Sequence, residues 1–491
     1  MSSPTLTQRK VADHSNGHSN GNGHTNGNGV AHQAEKARSG YGAFGVHGSH
    51  VTWTWWILTV CGLIVVPFVV YWCWICTEYN KGEMILPYYT KSVHGHSTYD
   101  LSSWWDFVSG KILDHAIPSF RAWKIYLLWT AFQAILFKFG PGHKQKGVEL
   151  KGGERLEYTF NGQFAFFTTL VVAFYLHYTN TFNLTALVDL FPEMLTVCII
   201  WCSLVIGGIY LFARINGTIE NQTDSILYDY FMGPQLNPMM FKGQALQFDI
   251  KWFYELRPGI MHWFFTTLAF AARQYDDLGY ISIPMALVCF YHLCFVNACY
   301  KGEHCVIWTM DIIHEKFGWM LLMLDIVMVP FVFPMQAYYV YRAQPDHHIA
   351  YYIFFASMHI IGYYIFDTAN SQKDYFREKP DEAVPSGFPR LPWGRLKNPK
   401  YIQTKRGTKL LVDGWWQYAR HCNYLGDILM SWSWGLTCGY TSIFPFAYTA
   451  YLTPLLIHRE IRDDLVCSEK YGDDWDKYKK AVPYRICPYV Y

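Results

Sequence analysis

Charge is scarce in this chain. Asp, Glu, Lys and Arg make up 16% of its 491 residues, where a soluble protein carries about 25%. The net charge is only +2, so there is no electrostatic case for nucleic acid as a partner. The common nucleotide and metal motifs are missing as well. No P-loop, Rossmann glycine pattern or H-E-x-x-H occurs, so any nucleotide is held by another device and no metal centre is expected. The 13 cysteines show no metal-ligand spacing. Cys73 and Cys76 form a C-x-x-C, but inside an apolar run beside Trp72 and Trp74, which reads as packing. No short apolar stretch with a small-residue cleavage site lies near Met1, so the first apolar run is expected to stay in the protein as a signal anchor.

What fills the chain instead is apolar and aromatic: 51% hydrophobic and 19% Phe, Trp and Tyr. About ten apolar runs can be read, at 53–76, 123–139, 164–178, 194–213, 260–273, 281–300, 317–341, 349–366, 428–444 and 445–457, against the roughly 20 residues a span needs. The fold class expected is all-α, a polytopic membrane protein of about ten transmembrane helices. The last two runs are expected to form a hairpin bent at Pro445. Residues 1–50 differ: SNGHSNGNGHTNGNG is polar and of low complexity, which predicts a disordered tail ahead of a membrane domain over 51–491. Lys and Arg crowd the tail, the loop after the second run (Lys144, Lys146, Lys151, Arg155) and the segment after the eighth (from Lys373 to Lys409). With an even number of spans these segments share one side, the cytosol, and both termini lie there.

The remaining charge is concentrated. GWWQYARHCNYLGD (Gly414 to Asp427) leads into an apolar run, and HREIRDDLVCSEKYGDDWDKYKKAVPYRICPYVY (His458 to Tyr491) follows the next. A helical hairpin would hold both at one membrane face. A topology-setting collar needs only Lys and Arg, whereas Arg420, Asp427, Arg459, Asp463 and Tyr471 mix both signs with an aromatic hydroxyl, which points to a built site. Lys373 and Arg377 are four apart, so a helix puts two cations on one face, suited to a phosphate or pyrophosphate. Arg395 joins them on that side. Trp416, Asn423 and Asp427 fall on one stripe if a single helix carries them, and suit a nucleoside. Arg459 and Asp463 share a face. Glu255 and Arg257 are placed to pair at the membrane face. Glu303, Asp311, His314 and Glu315 lie in a largely apolar stretch, with Asp311 and Glu315 on one helical face. A carboxyl group in low dielectric favours its protonated form, which suits a general acid.

These segments resemble the membrane sterol reductases of ergosterol and cholesterol synthesis, namely the C-14, C-7 and C-24(28) reductases and the membrane part of the lamin B receptor. The likeness rests on LLVDGWWQYARHCNYLGD, HREIRDD, KYGDDWDKY and VPYRICPYVY and runs from about Trp53 to Tyr491. It implies ten transmembrane helices, an endoplasmic reticulum location, a sterol substrate among membrane lipids, other sterol-synthesis enzymes as partners, and NADPH bound on the cytosolic side by the C-terminal part, about 366–491. Its cofactor positions fall on Lys373, Arg377, Leu411, Trp416, Asn423, Asp427, Arg459, Asp463 and Tyr471. WICTEYNKGEMILP, NACYKGEHCVIWTMDIIHEKFG and FDTANSQK resemble most the fungal C-24(28) reductase, whereas Arg420-His421-Cys422-Asn423-Tyr424 and the C-terminal wording are close to the C-14 type. The expected reaction is reduction of the 24(28) double bond, with the C-14 and C-7 bonds as alternatives. An isolated alkene must be protonated before it accepts hydride, and the candidate acids are Asp311, Glu303, Asp463 and Tyr478. Two rivals come from other classes. An isoprenylcysteine-type methyltransferase is much shorter and lacks the Lys373 and Arg377 pair. A chromatin-binding scaffold needs a folded N-terminal module.

Overall fold

The computed structural model describes residues 48–87, 100–149, 153–244, 246–377 and 395–491. The tail to residue 47, and with it Lys151, Lys379 and Arg390, lies outside them. Among the described residues the chain is mostly helical, with three two-stranded antiparallel ribbons. The principal helices are α1 (Trp53–Asn80), α2 (Leu101–His115), α3 (Phe120–Phe139), α4 (Gly162–Tyr178), α5 (Phe191–Ile215), α6 (Ile250–Leu256), α7 (Pro258–Leu278), α8 (Ile283–Lys301), α9 (Trp319–Ala343), α10 (Ile349–Arg377), α11 (Cys422–Thr437), α12 (Ala447–Tyr471) and α13 (Asp473–Ala481).

Five of these, α1, α5, α8, α9 and α10, are long and apolar enough to cross a membrane. The other expected spans fall on helices that miss that measure for visible reasons. Helices α4 and α11 have 17 and 16 residues. Helix α7 ends in Arg273, Asp276 and Asp277, and α12 runs past its apolar half into HREIRDD. The hairpin expected at the C-terminus forms, with Pro445 in a 3-10 turn between α11 and α12. Helix α1 turns Trp56, Ile57, Leu58, Ile64 and Val65 outward. Apolar side chains on the outside of a span are what lipid requires.

Helix α9 is the buried centre. It is not a regular α-helix: Leu324–Met328 is a π-turn, and Pro330 and Pro334 follow. Around it lies an aromatic core in which Trp263 of α7 meets His292, Phe333, Trp434 and Tyr448 at 5.0–5.9 Å between ring centres.

A buried ion pair ties the loops ahead of α7 and after α8 to this core. Arg257 and Glu303, 0% and 3% exposed in their side chains, face each other. Arg257 also donates to Asn161 Oδ1 at 2.9 Å, and Glu303 accepts from the Gly162 backbone at 2.8 Å. The expected Glu255–Arg257 pair therefore does not form. The α6–α7 junction turns Arg257 toward Glu303, which leaves Glu255 on the other side.

Candidate functional site

The site is built where α10 and α11 cross. Glycine permits the approach: a Cβ on Gly426 would sit 2.6 Å from the Phe366 nitrogen and 2.7 Å from the Gly362 oxygen. The close crossing presents the last turns of α10 to the segment ahead of α11. That segment is a ribbon of β1 (Tyr401–Gln403) and β2 (Lys409–Leu411), then a 3-10 turn over Gly414–Gln417. Gly414 has φ +59, and a Cβ there would meet Gln372 Oε1 at 2.3 Å. The turn is pinned to α10 by Trp415 Nε1 donating to Thr368 Oγ1 at 2.7 Å and Trp416 Nε1 donating to the Ala369 carbonyl at 2.9 Å.

This docking brings several expected residues together. Lys373 Nζ lies 4.0 Å from the centre of the Trp416 ring. Leu411 packs with Ala369, Trp416, Ala419 and Cys422. Asn423 Nδ2 donates to Asn370 Oδ1 at 3.1 Å, while Asn423 Oδ1 is buried with no partner. Arg377 ends α10, one turn beyond Lys373. Among the described residues no carboxylate pairs with either cation. Arg395 stacks on Tyr375, 5.7 Å from its ring centre. Trp416, Asn423 and Asp427 do not share one helix, as their spacing predicts. Trp416 sits in the 3-10 turn and α11 begins only at Cys422; tertiary docking, not helical periodicity, brings Trp416 to the site.

Asp463, half-buried on α12, lies 3.4 Å from His421 Nε2. Burial pushes the His421 imidazole down to about 4, against the pull of Asp463. Near neutral pH the ring is therefore neutral, and the contact is not an ion pair. The ring is stacked on Tyr424, centres 4.8 Å apart. Arg420, counted with the site in the sequence, is structural instead. Its guanidinium donates to the Val482 and Pro483 carbonyls at 3.1 and 3.0 Å, fastening the C-terminal segment. Tyr478 is buried between Trp475, on which it stacks at 4.9 Å, and Val482. Tyr471 stacks on the other side of Trp475 at 6.2 Å.

A second polar group lies deeper. Arg459 pairs with Asp311, and Arg462 pairs with Glu315 at 2.8 Å. The helix expected to carry Asp311 and Glu315 is only Met310–Ile313, so the two carboxylates do not line one helical face. They line up anyway, because α12 offers its two arginines three residues apart. Asp427 is within electrostatic reach of Arg459. Lys251, fully buried, donates to the Glu315 and Ile312 carbonyls at 2.6 and 3.2 Å. Glu255 Oε2 and Asp325 Oδ2 are buried without partners. Of the residues that sequence reasoning missed, Asp325 carried a signal, as a lone acid inside an apolar span. Lys251, Asn370 and His421 carried none.

The structure thus has a cation and aromatic cradle beside a carboxylate, over a membrane core. The sequence matches the Ergosterol biosynthesis ERG4/ERG24 family over residues 56–491. The chain belongs to this family. It is 39% identical over 429 residues to a Delta(14)-sterol reductase of Dictyostelium discoideum, covering 86% of this chain and 88% of the relative. A Delta(14)-sterol reductase of Methylotuvimicrobium alcaliphilum is 38% identical, covering 87% and 93%. The Delta(24(24(1)))-sterol reductase erg4A of Aspergillus fumigatus is 34% identical, covering 79% and 84%. The expectation of a membrane sterol reductase family is met.

Proposed function

We propose that this protein reduces the C-14 double bond of a sterol with hydride from NADPH, in the endoplasmic reticulum membrane with both termini cytosolic. What carries the reading is the free cradle at the α10–α11 crossing within a family of sterol reductases. Lys373 and Arg377 have no carboxylate partner among the described residues, and the Asn423 amide oxygen is buried without a donor. Cations left unpaired suit phosphates, and an orphaned amide oxygen suits an N–H of a bound ring or carboxamide. The domain division follows: residues 1–50 are a tail, 51–491 the membrane domain, and 366–491 its cofactor part.

NADPH would supply the hydride and nothing else. The protein's own task is to hold it, place a proton and keep water away. Lys373, Arg377 and Arg395 would hold its phosphates, Leu411 and Trp416 would wall its nucleoside, and Asn423, Asp427, Arg459 and Tyr471 would fix the remainder. The proton goes to C-15, which leaves positive charge on tertiary C-14 for hydride to quench. Glu303 and Asp311 are each committed to a guanidinium, and Tyr478 is enclosed by packing. Of the four candidates, that leaves Asp463, which lies beside His421, as the acid. Buried aromatic faces favour the transient charge.

The double bond moves from the side chain to ring D for a specific reason. The relatives at 37–39% identity are Delta(14) reductases, while at 33–34% stand two Delta(24(24(1))) reductases and one further Delta(14) reductase. The 24(28) bond stays as the second reading, favoured by NACYKGEHCVIWTMDIIHEKFG and FDTANSQK. Purified protein given NADPH and an 8,14-diene sterol should yield the 14-saturated product, identified by mass spectrometry. Turnover of a 24(28)-methylene or Δ7 sterol alone would move the assignment to that bond. Methyl transfer from S-adenosylmethionine would end the reductase reading.

Neutralising Lys373 tests the cradle. Lys373→Ala should raise the KM for NADPH roughly tenfold to a hundredfold, the worth of one charge-assisted contact. An unchanged KM would place the phosphates elsewhere.

A further inference from the structure

A cluster of three metal-ligating side chains lies beside the cradle and outside the proposed reaction. His304 and Cys305 sit in the short helix Glu303–Val306, and Asp374 sits on α10 directly after Lys373. His304 Nε2 is 3.0 Å from Asp374 Oδ2 and 3.5 Å from Cys305 Sγ. One ligand atom from each of the three lies within 4.8 Å of the others. Zinc bonds of about 2.0 Å to nitrogen or oxygen and 2.3 Å to sulfur, at tetrahedral angles, set N···S near 3.5 Å and N···O near 3.3 Å. Two edges, N···O and N···S, are therefore already close to those of a zinc tetrahedron, and the third lies within 4.8 Å. The His304 ring is held in place by an edge contact with Phe160, 6.4 Å between centres. Cys305 is exposed, which gives an ion a way in.

From this geometry we propose a Zn²⁺ site formed by His304, Cys305 and Asp374, with a fourth position open to water. A mixed nitrogen, sulfur and oxygen set of this shape selects zinc over calcium or magnesium, which take oxygen. On binding, the Cys305 thiol gives its proton to solvent and the thiolate becomes the sulfur ligand. The ion replaces the direct His304–Asp374 contact and joins the loop bearing Glu303 and Asp311 to the helix bearing Lys373. Sequence spacing hides such a site because Asp374 is remote from the adjacent His and Cys. It does not depend on which sterol bond is reduced.

The test uses Co²⁺ as a spectroscopic probe on the full-length, chelator-treated protein in detergent. One equivalent should bind with a near-ultraviolet thiolate charge-transfer band, and one equivalent of Zn²⁺ should abolish that band. Cys305→Ser should lose the band, and His304→Ala and Asp374→Asn should each weaken binding at least about tenfold. Cys61→Ser, at another exposed thiol, should change nothing. Gel filtration identifies variants that fold. Failure to bind one equivalent, or a band and affinity unchanged in folded Cys305→Ser, would overturn the site whatever the enzyme's activity.

Discussion

Glu303→Ala should leave little folded protein. Arg257 is completely buried, and Glu303 is the only carboxylate paired with it among the described residues. Removing one partner of a buried pair leaves a charge with no compensation, which costs about 3–5 kcal/mol. Domains have only about 5–15 kcal/mol of total stability. The loss should appear as a low monodisperse yield and a lowered Tm in detergent. Replacing both partners with apolar residues, Arg257→Met with Glu303→Leu, should recover much of the yield, because no unpaired charge then remains. The experiment also separates two roles for Glu303. A folded Glu303→Ala protein with normal Tm and lost turnover would return Glu303 to the list of acids.

Asp463→Asn should lower kcat at least about a hundredfold while the protein still folds and binds NADPH. Acid–base roles are worth typically 10²–10⁴-fold, and this change removes charge and proton with little change in volume. Asp463 is half-buried, and its one ion-pair contact among the described residues is the 3.4 Å approach of His421, so the described fold does not depend on it as Arg257 depends on Glu303. Bound NADPH and the single-turnover rate are to be measured on the same preparation. Normal binding with a slow chemical step supports the acid. Lost binding with a normal chemical step would make Asp463 a cofactor ligand only, and no change in either would remove it from the site.

The candidate site was partly legible in the sequence, for reasons that differ from residue to residue. Lys373 and Arg377 were readable because both lie on one continuous helix, where spacing determines the face. The spacing of Trp416, Asn423 and Asp427 was misleading, since it assumed a helix across a segment that is a 3-10 turn and a loop. Asp311 and Glu315 were correctly marked as unusual, but their partners are Arg459 and Arg462, about 150 residues away in the chain. Family likeness supplied Leu411, which no local pattern marks.

Composition and run length were enough to place the chain in a membrane and to locate the charged segments, because the cost of burying charge in lipid acts on every residue alike. The family likewise follows from the order of residues along the chain. Three-dimensional packing decided which charges are structural and which are free. Glu303 and Arg420 are consumed by the fold, Lys373 and Asn423 are left open, and Glu255 is parted from Arg257. Pairing depends on which helices cross and how closely, and here that is governed by contacts such as Gly362 against Gly426, between segments that periodicity treats separately.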